Sequence, residues 1–381
     1  MPTGLKLVIF GLSITSSWGN GHATTFRALA RALHARGHSL VFFERDQEWY
    51  ASNRDLPHPD FCEVQLYDDW EKSLSIVRRQ LADCDVALVG SYFPDSIRAI
   101  EEVLESKAAV KAFYDIDTPI TVSQLRDGGA DYLRLDQIPG FDLYFSFTGG
   151  RLLCELENRF GARNAVPLYC SFDPQRYYPR GRFRRYACDL SYMGTYAPDR
   201  QTKLERLFCQ PARDLPNMKF LLAGPQYPKR LRWPQNVRRI THLSPRWHAH
   251  LYSSSRLVLN LTRKEMVAAG YSPSVRLFEA AACGAAIVSD NWPGLETFFA
   301  PRREILLADS SADVIEYLKD TSPSGLPAIG RRAQERVLAE HSSSHRAEQF
   351  EAYVASALSR RQRERLNTSM STVFHVGVLA S

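Results

Sequence analysis

Strand-length apolar runs recur along the first half of the chain at Leu5–Leu12, Ser39–Glu44, Val86–Ser91, Ala109–Asp115, Leu143–Phe147 and Val166–Cys170, with helix-period stretches between most of them. This alternation constrains the fold more than any other feature. Successive strands joined through helices form a parallel sheet covered on both faces, and ligands collect at the carboxyl ends of its strands. After a proline- and arginine-rich passage from Asp173 to Arg185 the alternation restarts, at Asp189–Met193, Lys219–Ala223, Val237–His242, Leu257–Leu261, Ala286–Ser289 and Ile305–Leu307. Two doubly wound α/β domains are expected, residues 1–178 and 179–342, joined near Pro179 and facing across a cleft that holds one substrate on each half. A helix over 343–358 and a flexible tail over 359–381 follow.

At 381 residues the chain exceeds the usual single-domain size. No apolar run is long enough to span a bilayer, and Leu5–Leu12 contains Lys6 and runs into a polar glycine loop, as a strand does and a signal peptide does not. A cytoplasmic location is expected. The seven cysteines have no C-x-x-C spacing, which argues against a disulfide framework and a zinc site. A formal net charge of +6 suits an anionic ligand, an acidic acceptor or an anionic membrane surface, with membrane association at most peripheral. The densest basic run, Arg176 to Arg185, lacks a regular aromatic interleave, so it reads as a linker and no nucleic-acid partner is expected.

Within Ser272–Gly284 a single carboxylate, Glu279, stands among apolar neighbours. An ionised group leaving water needs a partner, so Glu279 either pairs with an internal cation or faces a polar ligand such as a sugar diol. Both readings stay open at this point. Ser272 suits an N-cap and Pro273 the first helical position, so the helix start would offer free N–H groups to a phosphate, with Arg276 adding charge.

Other loops fall at strand ends. The first strand is followed by a long loop, Ser13 to His22, whose glycines allow close backbone approach and whose His22 sits at the helix start. Gly19 to Thr24 partly matches a dinucleotide fingerprint, with Glu44 or Asp46 as the ribose acid. Asp115-Ile116-Asp117-Thr118-Pro119 ends another strand; general base or acceptor binding ranks first, helix capping second and a metal-binding DXD third. In the second half, Gly194, Thr195 and Arg200, then Arg263 after Asn260, bring glycine turns and cations towards the Ser272 helix, where they would stabilise a departing diphosphate. His242, His248 and His250 lack a recognisable fourth metal ligand.

Taken together, Ser16–His22, Phe113–Pro119, Ser146–Gly150 and Gly270–Glu296 resemble the GT-B glycosyltransferases of the group 1 (family 4-like) type, most closely the branch related to the spore maturation protein CgeB. The resemblance spans nearly the whole chain. It implies two Rossmann-like domains, acceptor binding by the first, nucleoside diphosphate sugar binding by the second, no metal or other cofactor, and a final helix crossing back to the first domain. The donor residues it implies are Gly194, Thr195, Arg200, Arg263, Tyr271, Ser272, Ser274, Arg276 and Glu279. His22 and Asp117 are the catalytic candidates, and Trp18, Asn20, Gly21, Asp115 and Thr148 the acceptor-binding ones. The family usually places two glutamates eight positions apart; Glu279 matches the second, and Tyr271 replaces the first, which leaves donor identity and stereochemical course open. The acceptor is a hydroxyl on a glycan, lipid, peptide or metabolite. Two alternatives remain: an NAD-dependent oxidoreductase using the Gly19–Gly21 loop, and a non-catalytic nucleotide-sugar binding protein.

Overall fold

The computed structural model describes residues 4–18, 21–319 and 325–378. The first sheet comprises β1 (Lys6–Phe10), β2 (Ser39–Arg45), β3 (Glu63–Tyr67), β4 (Val86–Gly90), β5 (Val110–Asp115), β6 (Leu143–Ser146) and β7 (Ala165–Pro167). All pair in parallel, in the order β3-β2-β1-β4-β5-β6-β7. The second comprises β8 (Cys188–Met193), β9 (Phe220–Ala223), β10 (Val237–Ile240), β11 (Ser255–Asn260), β12 (Ile287–Ser289) and β13 (Leu306–Leu307), parallel in the order β10-β9-β8-β11-β12-β13. Central strands such as β1 and β4 are apolar on both faces because helices cover both. β3 departs from that rule. It is an edge strand with Glu63 and Leu66 exposed, so its EVQLY sequence carries no apolar run and the sequence reading passed over it. β7 ends at Pro167, three residues short of the expected Cys170.

The halves share one apolar cluster, which runs from Ile9 and Phe145 through Leu168, Phe172 and Tyr177 to Leu277 and Phe278. The backbone passes between them twice at neighbouring points: Phe172 and Ser342 form a parallel bridge, and the Ser343 N–H donates to the Phe172 carbonyl at 2.9 Å. From there a helix, Ser343–Val378, packs on the first domain. Glu351 accepts from Arg36 at 2.6 and 2.8 Å, Phe350 stacks on Phe145 at 5.2 Å, and Arg361 bonds Asp142 at 2.9 Å. The helix expected over 343–358 continues to Val378. Among the described residues no helix is long and apolar enough to cross a membrane.

Candidate functional site

At the carboxyl edge of the first sheet, internal polar bonds hold the loop after β1. Glu44 accepts from Ser13 Oγ (3.0 Å), Ile14 N (2.6 Å), Thr15 N (2.9 Å) and Thr15 Oγ1 (2.6 Å) and is fully buried. It is therefore spent on the loop and presents no face to a ribose, which leaves Asp46, paired with Arg54 at 2.5 Å, as the remaining acid for the dinucleotide alternative. Asp55 receives Arg27 at 2.9 and 2.8 Å and Ser17 twice at 2.9 Å. Partial burial pushes its carboxyl up, but those bonds and the Arg27 charge outweigh it and hold the pKa down at about 2. Trp18 at the loop's end is 40% exposed, and Gly21 precedes the His22–Ala35 helix. Asn20, expected at the acceptor, lies outside the described residues, as does Gly19.

Burial lowers the His22 imidazole to about 4, so it is neutral at physiological pH, and its Nδ1 has no hydrogen-bond partner among the described residues. Its neighbour is Tyr92, edge-on at 5.4 Å and held at φ 62°, a left-handed conformation rare for an aromatic residue. Sequence reasoning had no signal for Tyr92. Asp117, half-buried at the start of the Thr118–Arg126 helix, is raised to about 6 by desolvation against the pull of Arg263 from the other domain. No hydrogen bond joins His22 to Asp117 among the described residues. Asp115, expected at the acceptor, is fully buried and takes Thr121 Oγ1 and Tyr144 Oη at 2.7 Å each and the Asp117 N–H at 3.1 Å, so its carboxyl is engaged within its own domain. Among the described residues no group of three His, Cys, Asp or Glu is arranged to hold a metal ion.

On the second sheet, Gly194 after β8 and Gly224 after β9 meet: a Cβ on Gly224 would lie 2.0 Å from the Gly194 carbonyl oxygen. A Cβ on Gly194 would stand 3.0 Å from the Arg276 guanidinium, so its absence gives that group room. Arg276 donates to the Met193 carbonyl (2.6 Å) and to Asn260 Oδ1 (2.8 Å) and lies over the Tyr192 ring at 5.0 Å. The helix carrying it, Val275–Ala282, begins later than expected. Ser274, not Ser272, is the N-cap residue, because Gly270 at φ 68° and Tyr271 at φ 45° turn the backbone away from helix just before it. Ser274 Oγ donates to Asn260 at 2.7 Å, and Ser272 Oγ receives Thr148 Oγ1 at 2.9 Å, so neither serine hydroxyl faces the cavity described next.

That cavity, about 230 Å³, lies between the domains, with Ser17, Gly21 and Thr24 on one side and Gly194, Thr195, Arg276 and Glu279 on the other. Glu279 is 5% exposed, and desolvation raises its carboxyl to about 7, opposed by hydrogen bonds from Tyr177 and Tyr252. Tyr252 Oη donates to Glu279 Oε2 at 3.2 Å. Among the described residues Glu279 forms no ion pair; Arg276 and Arg176 act on it only through their field. Tyr252 and His248, one turn apart on the helix His248–Ser254, line this wall; burial lowers the His248 imidazole to about 4, and its Nε2 bonds the Leu243 carbonyl at 3.0 Å. Arg200 bonds the Thr195 carbonyl at 2.8 Å and Arg263 stands 3.8 Å from Asp199; neither lines the cavity.

Tyr271 and Thr148 serve the junction. The Gly149 N–H donates to the Tyr271 carbonyl at 3.0 Å, and the Tyr271 ring fills the space that a Cβ on Gly150 or Gly294 would enter, at 2.6 and 2.5 Å. With the Thr148–Ser272 bond, they fasten the rims of the two sheets together beside the cavity.

Residues 200–352 match a family described as glycosyl transferase-like. No curated protein matches the chain in sequence. In fold, the chain is similar to a sucrose-phosphate synthase from Thermosynechococcus elongatus, at 14% identity over 96% of this chain and 100% of that one with a TM-score of 0.65. It is also similar to HepE from Anabaena, in complex with UDP and glucose, at 12% identity over 92% and 100% with a TM-score of 0.67. An alpha-glucosyltransferase in complex with UDP-glucose and DNA aligns at 14% identity over 92% and 99%, TM-score 0.67. The facing parallel sheets are those of the GT-B fold. The glycosyl transferase-like match, residues 200–352, covers strands β9 to β13 of the second sheet.

Proposed function

We infer that the protein moves a sugar from a nucleoside diphosphate sugar to a hydroxyl-bearing acceptor, with the donor held by residues 179–342 and the acceptor by residues 1–178. One observation carries the reading: Glu279 is a buried carboxylate on the wall of the interdomain cavity whose partners are tyrosine hydroxyls and not a cation. A ribose diol supplies the two donors such a group lacks. The diphosphate then lies against the first N–H groups of the Val275–Ala282 helix and the Gly194–Thr195 turn, and Arg276 meets the charge that grows on the leaving oxygen, so no metal is required. Complexes of HepE with UDP and glucose and of the alpha-glucosyltransferase with UDP-glucose make UDP the first nucleotide to try.

Neutral His22 is available to accept the proton of the attacking hydroxyl, with Asp117, raised to about 6 by desolvation, as its candidate assistant. Gly21 on the cavity wall, exposed Trp18 and Tyr92 beside His22 are the residues assigned to the acceptor. Affiliation with the CgeB-like branch, a cytoplasmic location and a small or polymeric acceptor belong to the same proposal. Calorimetric titration of UDP into wild type and Glu279→Ala tests it: a loss on the order of 100-fold is expected, since hydrogen bonds to a charged group contribute about 1.5–3 kcal/mol each. Equal affinity in the two proteins would overturn the ribose assignment.

A further inference from the structure

The outer edge of the second sheet is strongly cationic. From Leu215 to Lys264 the sequence has ten lysines or arginines and no aspartate or glutamate, and from Pro174 to Cys188 five arginines and again no acid. Folding brings parts of these stretches together around edge strand β10: Arg185, Arg238, Arg239 and Arg246 line one concavity, and Arg238 bonds the Arg185 carbonyl at 2.7 Å. Arg182, Arg184, Arg185, Arg238, Arg239 and Arg246 are all exposed, and none forms an ion pair among the described residues. Three exposed arginines of the first domain are instead paired: Arg78 with Glu102, Arg126 with Glu155 and Arg134 with Glu101. Aromatic rings stud the cationic face. Phe183 and Tyr178 are 39% and 40% exposed, and Trp247 stacks on Phe183 at 5.9 Å.

We propose that this face docks the protein on an anionic lipid surface. Exposed arginines without counter-ions gain from the negative potential of such a surface, about fivefold in partition for each one near it. Amphipathic rings at the rim suit the headgroup layer. The same rings are poorly placed to stack on bases, because their faces are already covered: Trp247 by Phe183, Trp233 by Arg239 at 5.0 Å, and Tyr178 by Arg180 at 3.8 Å. His242 and Leu243 belong both to this concavity and to the donor cavity, so a docked face sets the donor entrance beside the lipid.

Co-sedimentation of the full chain with vesicles of phosphatidylglycerol and phosphatidylcholine, against phosphatidylcholine alone, at 150 mM salt tests this without reference to activity. Binding only to the anionic vesicles is expected, weakened on the order of 100-fold in a triple variant Arg184→Ser, Arg238→Ser, Arg246→Ser. The triple variant Arg78→Ser, Arg126→Ser, Arg134→Ser, with the same change in net charge, is expected to bind as wild type. Absence of vesicle binding by wild type overturns the proposal, as does equal loss in both triple variants. Tighter binding to an oligonucleotide than to vesicles, lost in the first variant, would assign the face to nucleic acid instead. UDP affinity, measured in parallel, reports on the donor site separately, so each reading fails or stands by itself.

Discussion

Asp115 and Glu279 begin alike and end differently. Each is a carboxyl in apolar company near the rim of a parallel sheet, and burial raises each to about 7. Asp115 is closed off: Thr121, Tyr144 and the Asp117 N–H satisfy it within its own domain. Glu279 lines the interdomain cavity, with Tyr252 donating to it at 3.2 Å. A raised carboxyl pKa therefore marks burial, and only the inventory of partners separates a structural acid from one with capacity left for a ligand.

The largest test of this contrast is binding. Glu279→Gln is expected to weaken UDP on the order of 100-fold by calorimetry, whereas Asp115→Asn should change affinity less than about threefold. A comparable loss in both variants would erase the distinction. Next in size is pH. A diol bonds the ionised carboxylate, so wild-type affinity should fall about tenfold for each pH unit below about 7; subtracting the Glu279→Gln profile removes the titration of the diphosphate itself.

Stability gives a smaller effect, shared by the two acids. Their folded pKa values lie above the usual carboxylate range, so the stability they lend is full at low pH and declines as pH rises towards about 7. Melting temperature between pH 5 and 7 should therefore slope less steeply in either variant than in wild type. A flattened slope for Glu279→Gln alone would mean that Asp115 does not titrate in this window. Smallest is Thr148→Val, which removes the interdomain bond to Ser272; a loss of about 1 kcal/mol in chemical denaturation is expected, with UDP affinity unchanged.

Periodicity made the central strands legible, because strands covered on both faces leave uninterrupted apolar runs. β3 escaped it since an edge strand needs only one buried side. The helix start was misplaced for a different reason: Ser272-Pro273 has the composition of a helix entry, but the positive φ values at Gly270 and Tyr271 and the Thr148 bond commit it to the domain junction. Glu279 stood out as the lone acid of an apolar stretch, Arg276 as a cation near a helix start and Gly194 as a glycine at a strand end. Tyr252, Tyr177 and Tyr92 did not, because their neighbours are assembled only by the tertiary fold, and a tyrosine in an apolar stretch carries no mark of the carboxylate or imidazole it will meet.

The neighbouring backbone passages at Phe172 and Ser342 have a mechanical consequence. Two strands of chain fixed side by side permit one half to swing about the line through them and resist sliding, much as a door on its pins. Thr148 and Ser272 then act as the latch on the free side. The Gly149–Tyr271 bond and the Tyr271 ring brace the same rim, so the swing stays arrested when that one hydroxyl pair is lost.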